Sequence, residues 1–152
     1  MMRSKRFEPI QEIAANSAND LSRTMGEAAK RVAEVERQLA QLTSYRDEYL
    51  RNSGGQRGAM DAVRLQNFRS FLDRLGSAIQ QQVQTVESAR AEYERRRGLW
   101  SEKRVEAESL GRVVERLRRE ERHAADRREQ HEGDDAALRI ALAKLGERTG
   151  GY

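Results

Sequence analysis

The residues able to do chemistry are few. His123 follows Glu120 by three positions, which is the Glu-x-x-His unit that puts two ligands on one helix face in di-iron bundles. Such centres need a second copy of the unit and further glutamates on facing helices, and neither His131 nor any other residue supplies them. The chain has no cysteine, so disulfides, zinc knuckles and thiol chemistry are out of reach, as suits a reducing compartment. Gly54-Gly55-Gln56-Arg57-Gly58 is glycine-rich but lacks the Gly-Lys-Ser/Thr ending of a phosphate-cradling loop, so it reads as a turn. No set of side chains meets the requirements of a nucleophile, a base and an orienting group. The expectation is a protein that is not an enzyme and takes neither metal nor cofactor.

Charge offers a second kind of chemistry. Lys and Arg outnumber Asp and Glu by 29 to 25, for a net charge of +4, and the excess is concentrated between Arg95 and Arg128. Arg95-Arg96-Arg97 and the run from Arg112 to Arg128 could track a phosphate backbone. Glutamates are interleaved there at helical spacing, Glu108 with Arg112 and Glu115 with Arg119, which describes a self-paired surface. With no helix-turn-helix spacing and no aromatic platform for bases, nucleic acid is not an expected partner.

Aromatic side chains offer a third. Gln38, Leu42, Tyr45 and Tyr49 recur at spacings of four, three and four, and Phe71, Leu75, Ala78 and Gln82 repeat that spacing further on. Each set lies on one helix face. Two readings stand side by side: the rings widen a narrow core, or they rim a binding surface, where tyrosine hydroxyls find wet or polar partners.

Those stripes need elements to hold them. From Leu65 an apolar position returns every seven residues, through Leu72, Ile79, Val86, Tyr93, Trp100, Ala107 and Val114. A second series three residues later runs Phe68, Leu75, Ala89, Leu110, Leu117 and Ala124, interrupted by Gln82, Arg96 and Lys103. Alternating steps of three and four make a coiled-coil seam. An earlier pair of series, Phe7, Ala14, Leu21, Ala28, Val35, Leu42 and Tyr49 with Ala18, Met25, Val32 and Leu39, makes another. A helix of about seventy residues would extend roughly 100 Å and cannot stand alone in water, so the seams must meet a partner.

The chain's only proline, Pro9, suits the first turn of a helix, which predicts a first helix over 8–51, a turn over 52–58 and a second helix over 59–131. Gly133-Asp134-Asp135 reads either as a bend or as a break followed by a short helix over 134–146, with a frayed tail over 147–152. A short connection between two long seams predicts an all-α fold, a long antiparallel two-helix coiled-coil hairpin whose second helix is the longer, as a single elongated domain. Centring the turn near Gly55 sets Leu42 against Phe68, Val35 against Leu75 and Leu21 against Ala89. The first helix then runs out near Lys103, leaving Leu110, Val113, Val114 and Leu117 as an unpaired, partner-binding overhang. Through that overhang a self-assembling dimer is the alternative to a hetero-partner. The alanine layers Ala14, Ala18, Ala28, Ala89 and Ala107 should stabilise less than the Leu, Ile and Val layers, and Arg96 and Lys103 should snorkel. With 36% charged and 5% aromatic residues, and no apolar leader after the basic first residues, a thick globular core, a secretion signal and a membrane span are not expected.

Arg6-Phe7-Glu8-Pro9-Ile10, Tyr45-Arg46-Asp47-Glu48-Tyr49, and Leu65-Gln66-Asn67-Phe68 with Phe71-Leu72 resemble the FliJ family of the bacterial flagellar type III export apparatus. Trp100 and the Arg/Glu-rich stretch beyond it are similar too, and the Tyr-x-x-x-Tyr region is the specific part of the likeness. The resemblance implies a non-enzymatic cytoplasmic protein, peripherally associated with the inner-membrane export machinery, forming an antiparallel coiled coil like a rotary-ATPase stalk. It implies three partners: the hexameric export ATPase FliI, the cytosolic region of the export gate protein FlhA, and export chaperones. Carried over by motif, the gate-binding face would be Gln38, Leu42, Tyr45 and Tyr49 with Phe71, Leu75, Ala78 and Gln82. The start of the first helix and the overhang would enter the ATPase ring.

Overall fold

The computed structural model describes residues 2–54 and 61–150. They form two helices, α1 (Arg3–Gly54, 52 residues) and α2 (Ala62–Thr149, 88 residues), with no strand among the described residues. The heptads dictate what the helices bury. Every position of both α1 series and both α2 series is buried or half-buried. Isoleucines off the seam, Ile10 and Ile13, are exposed.

Contacts group the chain into two compact units. One is Asn16–Arg104, in which residues ascending α1 meet residues descending α2: Val35 with Gln82 and Tyr49 with Phe68. Its core is Val35, Phe68, Leu75, Ile79 and Val86, with Ala18 and Ala28. Val35, at 0% exposure, is the most deeply buried. The other unit is Met1–Ala15 with Val105–Tyr152, again antiparallel, pairing Ser4 with Glu121 and Glu8 with Arg118. Ala14, Ala107, Val114 and Leu117 are its buried apolar residues.

The helix ends explain four departures from expectation. First, α1 begins at Arg3 and carries Pro9 inside it. Proline within a helix costs about 3 kcal/mol, offset here because the upstream turn packs on α2: Phe7 is half-buried, and Ser4 and Glu8 bond to Glu121 and Arg118. Second, α2 starts behind Asp61, whose carboxylate accepts from the Arg64 N–H at 2.8 Å and whose carbonyl accepts from the Leu65 N–H at 3.0 Å. That is an N-cap, and its side chain satisfies one of the helix's orphan donors. Most of the expected turn over 52–58 lies outside the described residues. Third, because α1 runs to Gly54 and α2 begins at Ala62, the midpoint between the helices falls beyond Gly55, and the pairing is displaced by one heptad. Val35 meets Gln82 where Leu75 was expected, and Phe68 meets Tyr49 where Leu42 was expected. Fourth, α2 passes through Gly133 without a break, so no separate helix starts at 134.

The same displacement corrects the overhang. Val114 and Leu117 are each 5% exposed, and Leu110 and Val113 are half-buried, within a unit whose α1 part is Met1–Ala15. α1 is five residues longer at its start than expected, so these four side chains meet the chain's own helix. They form no free seam for a partner or a second copy. The α2 residues exposed throughout are 125–149, including Leu138, Ile140, Leu142 and Leu145.

Candidate partner-binding face

Seven of the eight face residues predicted from spacing come to the surface of one stretch of the Asn16–Arg104 unit, and the eighth, Leu75, is buried at 8% exposure as part of the floor. Helical spacing of four, three and four lines up Gln38, Leu42, Tyr45 and Tyr49 along α1. The antiparallel register then sets the α2 stripe beside them. The Tyr49 ring stacks on Phe68, centroids 5.2 Å apart at 17°, and lies 4.6 Å from the Phe71 ring at 49°. Tyr45 meets Phe71 edge-on, at 6.2 Å and 76°. Offset and edge-to-face arrangements are the ones that the ring quadrupole favours.

Burial divides the rings by role. Phe68 is 4% exposed and belongs to the core; Tyr49 and Phe71 are half-buried; Tyr45 is 52% exposed. The cluster widens the core at its base and presents an amphipathic ring at its top.

Next to Tyr45 lies a shallow groove lined by Gln38, Gln41, Leu42, Tyr45 and Gln82. Gln82 is half-buried in the seam and donates its side-chain amide to the Val35 carbonyl at 2.9 Å and to Gln38 Oε1 at 3.1 Å. Gln38 in turn donates to Glu34 Oε1 at 3.2 Å. Sequence reasoning missed Gln41 and Phe68. Gln41 sits three residues after Gln38 and four before Tyr45, so it flanks the stripe. Phe68 is a seam residue three positions before Phe71, and its contact with Tyr49 follows from the register of the two helices.

The other charged candidates behave as surface. Arg95 and Arg96 both bond to Glu92, at 2.6 and 2.7 Å, and hold its carboxyl down to about 2, Arg95 contributing most. Arg97 pairs with Glu94 at 3.7 Å and Arg122 with Glu115 at 3.6 Å. The Arg104 guanidinium lies 5.3 Å from the centre of the Trp100 ring, a cation–π contact. Glu120 and His123 are exposed, and no cluster of three or more His, Asp or Glu residues among those described could hold a metal ion. No helix among the described residues is long and apolar enough to cross a membrane.

Comparison with known proteins gives these features a context. Over 136 residues the chain is 26% identical to the Flagellar FliJ protein of Escherichia coli (strain K12), covering 89% of this chain and 92% of that protein. Over 139 residues it is 24% identical to the Flagellar FliJ protein of Salmonella typhi, covering 91% and 95%. No solved structure gives a significant match. The family model described as Flagellar FliJ protein matches residues 3–146, so the chain belongs to the FliJ family of flagellar export components.

Proposed function

We propose that this chain is a non-enzymatic coupling component of the flagellar type III export apparatus, a stalk-like coiled coil linking the export ATPase FliI to the export gate protein FlhA and escorting export chaperones. The observation that carries this reading is the graded aromatic cluster. Tyr45 is exposed over half-buried Tyr49 and Phe71, beside a groove of three glutamines and Leu42. Aromatic side chains with a polar tip over an apolar base are the composition of interface anchors. On this reading Gln38, Leu42, Tyr45, Tyr49, Phe71, Ala78 and Gln82 contact the cytosolic region of FlhA, and Leu75 supports them from below.

The ATPase contact falls to the Met1–Ala15 and Val105–Tyr152 unit. Within it, the contact is the exposed stripe Leu138, Leu142 and Leu145 in place of Leu110, Val113, Val114 and Leu117, which are buried or half-buried. A cytoplasmic, peripheral position beneath the inner membrane belongs to the same reading.

The test is a pair of substitutions, Tyr45→Ala with Phe71→Ala, in the full chain. Neither residue is fully buried, so helicity by circular dichroism should hold, while binding to the purified cytosolic region of FlhA should fall at least a hundredfold, as for paired interface hot spots. Binding at the unsubstituted level would remove the gate-contact reading. Loss of helicity would return the rings to the core alone.

A further inference from the structure

The charge pairing expected from spacing, Glu108 with Arg112 and Glu115 with Arg119, is not the pairing that forms on α2. Glu115 bonds to Arg122 at 3.6 Å, Glu121 accepts from Ser4 of α1, and Glu8 of α1 takes Arg118 at 2.7 Å. Among the described residues the side chains of Arg112, Arg116 and Arg119 make no ion pair or hydrogen bond, and Arg127 reaches only the His123 carbonyl, at 3.4 Å. The neighbouring carboxylates are spent elsewhere, and these cations are left without a counter-charge.

They form a line. Arg112, Arg116, Arg119, His123 and Arg127 follow one another at spacings of four, three, four and four, which sets them on one helix face over about 22 Å. All five are exposed, whereas Ala107, Leu110, Val114 and Leu117 carry the packed side of α2. Glu120 and Asp126 stand to either side of the line, and neither forms an ion pair with it. Like charges three and four residues apart destabilise a helix, so the line is a local cost that an external anion relieves.

Beyond Gln130 and Asp134 the same face changes character. Leu138, Ala141 and Leu145 take the arginines' places, with Lys144 and Arg148 beside them, and the two leucines are 59% and 57% exposed. Cations and apolar side chains on one side of an unbroken helix suit the boundary of an anionic bilayer, where the cations meet phosphates and the leucines reach the acyl edge. A nucleic-acid backbone would use the arginines and leave the leucines in water.

We propose that this face of α2 is a membrane-surface site, and that its occupant is the anionic phospholipid headgroup layer of a bilayer. The site rests on none of the protein contacts proposed above. Leu138 and Leu145 are shared with the ATPase contact, so lipid and ATPase exclude each other at that end.

The experiment is sedimentation of the full chain with vesicles of phosphatidylcholine alone, and of phosphatidylcholine with phosphatidylglycerol at roughly two to one, in about 0.1 M salt. The chain should bind the second and not the first. Arg112→Gln with Arg116→Gln and Arg119→Gln should hold its helicity, glutamine being a good helix former, and should bind roughly a hundredfold more weakly. Arg64→Gln with Arg69→Gln and Arg74→Gln, exposed arginines elsewhere on α2, lowers the net charge equally and should weaken binding by less than about fivefold. Equal behaviour with the two vesicle types, or equal losses from the two arginine sets, would overturn the proposal. A stripe variant that binds vesicles like wild type yet no longer binds a DNA duplex would make the line a nucleic-acid contact and overturn it too. A second measurement uses the absence of cysteine: Ser109→Cys beside the line and Ile13→Cys on α1, both exposed, each take a single nitroxide. On addition of the anionic vesicles the Ser109 label should lose its collisions with an aqueous nickel complex while the Ile13 label keeps them. If the stripe variant loses helicity, the labels decide alone, and a Ser109 label still open to water at saturation overturns the proposal.

Discussion

Ser4 gives both its backbone N–H and its hydroxyl to the carboxylate of Glu121, at 3.0 and 2.6 Å, and is itself only 3% exposed. The first N–H groups of a helix have no partner within it and are ordinarily met by an N-cap side chain just upstream. Here a carboxylate from α2, within the same compact unit, takes that place. Ser4→Ala should raise amide exchange over residues 3–8 by about tenfold, one neutral hydrogen bond's worth, and leave exchange around Val35 unchanged. Equal exchange in the two proteins would mean that the helix starts downstream, at Pro9.

The same contact sets a pH dependence. The Ser4 hydroxyl, then the Ser4 backbone N–H, hold the Glu121 carboxyl below its ordinary 4.5, with Arg118 adding to them. A carboxyl whose folded value is depressed stabilises fully above 4.5 and loses that contribution as pH falls through the folded value. Glu92 has the same sign, carried down to about 2 by Arg95 and then Arg96, but its partners lie on its own helix. On acidification from pH 7, the start of α1 should therefore loosen before the aromatic cluster does, and the Glu92 carboxyl should titrate last, near 2. Carboxyl ¹³C shifts followed against pH check this. A Glu121 midpoint at or above 4.5 would show that the cap is not made in solution.

The register shows what a repeat leaves undetermined. Every seam position read from sequence is buried or half-buried, because side-chain period alone selects the face. Sliding one helix by a heptad superposes the seam on itself, however, so burial could not tell Val35 opposite Leu75 from Val35 opposite Gln82. Only the helix ends could, and those depend on Asp61 as N-cap and on the Ser4–Glu121 contact, between residues 117 apart in sequence. The face itself survived the slide, since both of its stripes keep their spacing wherever they meet. Leu110 and Leu117 did not, because their exposure depended on where α1 began. Gln82, which the sequence marks both as an interruption of the seam and as the end of the second stripe, bonds across the seam to Val35 and Gln38.

Core and surface should respond differently to truncation. Val35→Ala removes two methyl groups from a fully buried site and should cost about 2 kcal/mol, with a cavity that rigid helix backbones cannot close. Leu117→Ala should cost about 3 kcal/mol, since Leu117 is 5% exposed. Leu142→Ala, at 58% exposure, should change stability by less than about 0.5 kcal/mol. Urea unfolding of the three variants separates these cases. A Leu117 variant as stable as the Leu142 one would restore Leu110 to Leu117 as a free seam.

Gly133 tests whether the exposed part of α2 is one helix. Glycine inside a helix is unfavourable relative to alanine by roughly 0.5–1 kcal/mol, through the backbone freedom it loses on folding. At Gly133 a Cβ would meet nothing within 4 Å, and no described glycine has a positive φ, so alanine has neither a steric nor a conformational cost there. Gly133→Ala should therefore slow amide exchange over residues 129–138 by roughly two- to fivefold and raise helicity slightly. If the chain instead turned at Gly133 and restarted at Asp134, the glycine would sit in a turn that alanine strains. Exchange on either side would then quicken and helicity would fall, so the sign of the change decides between the two.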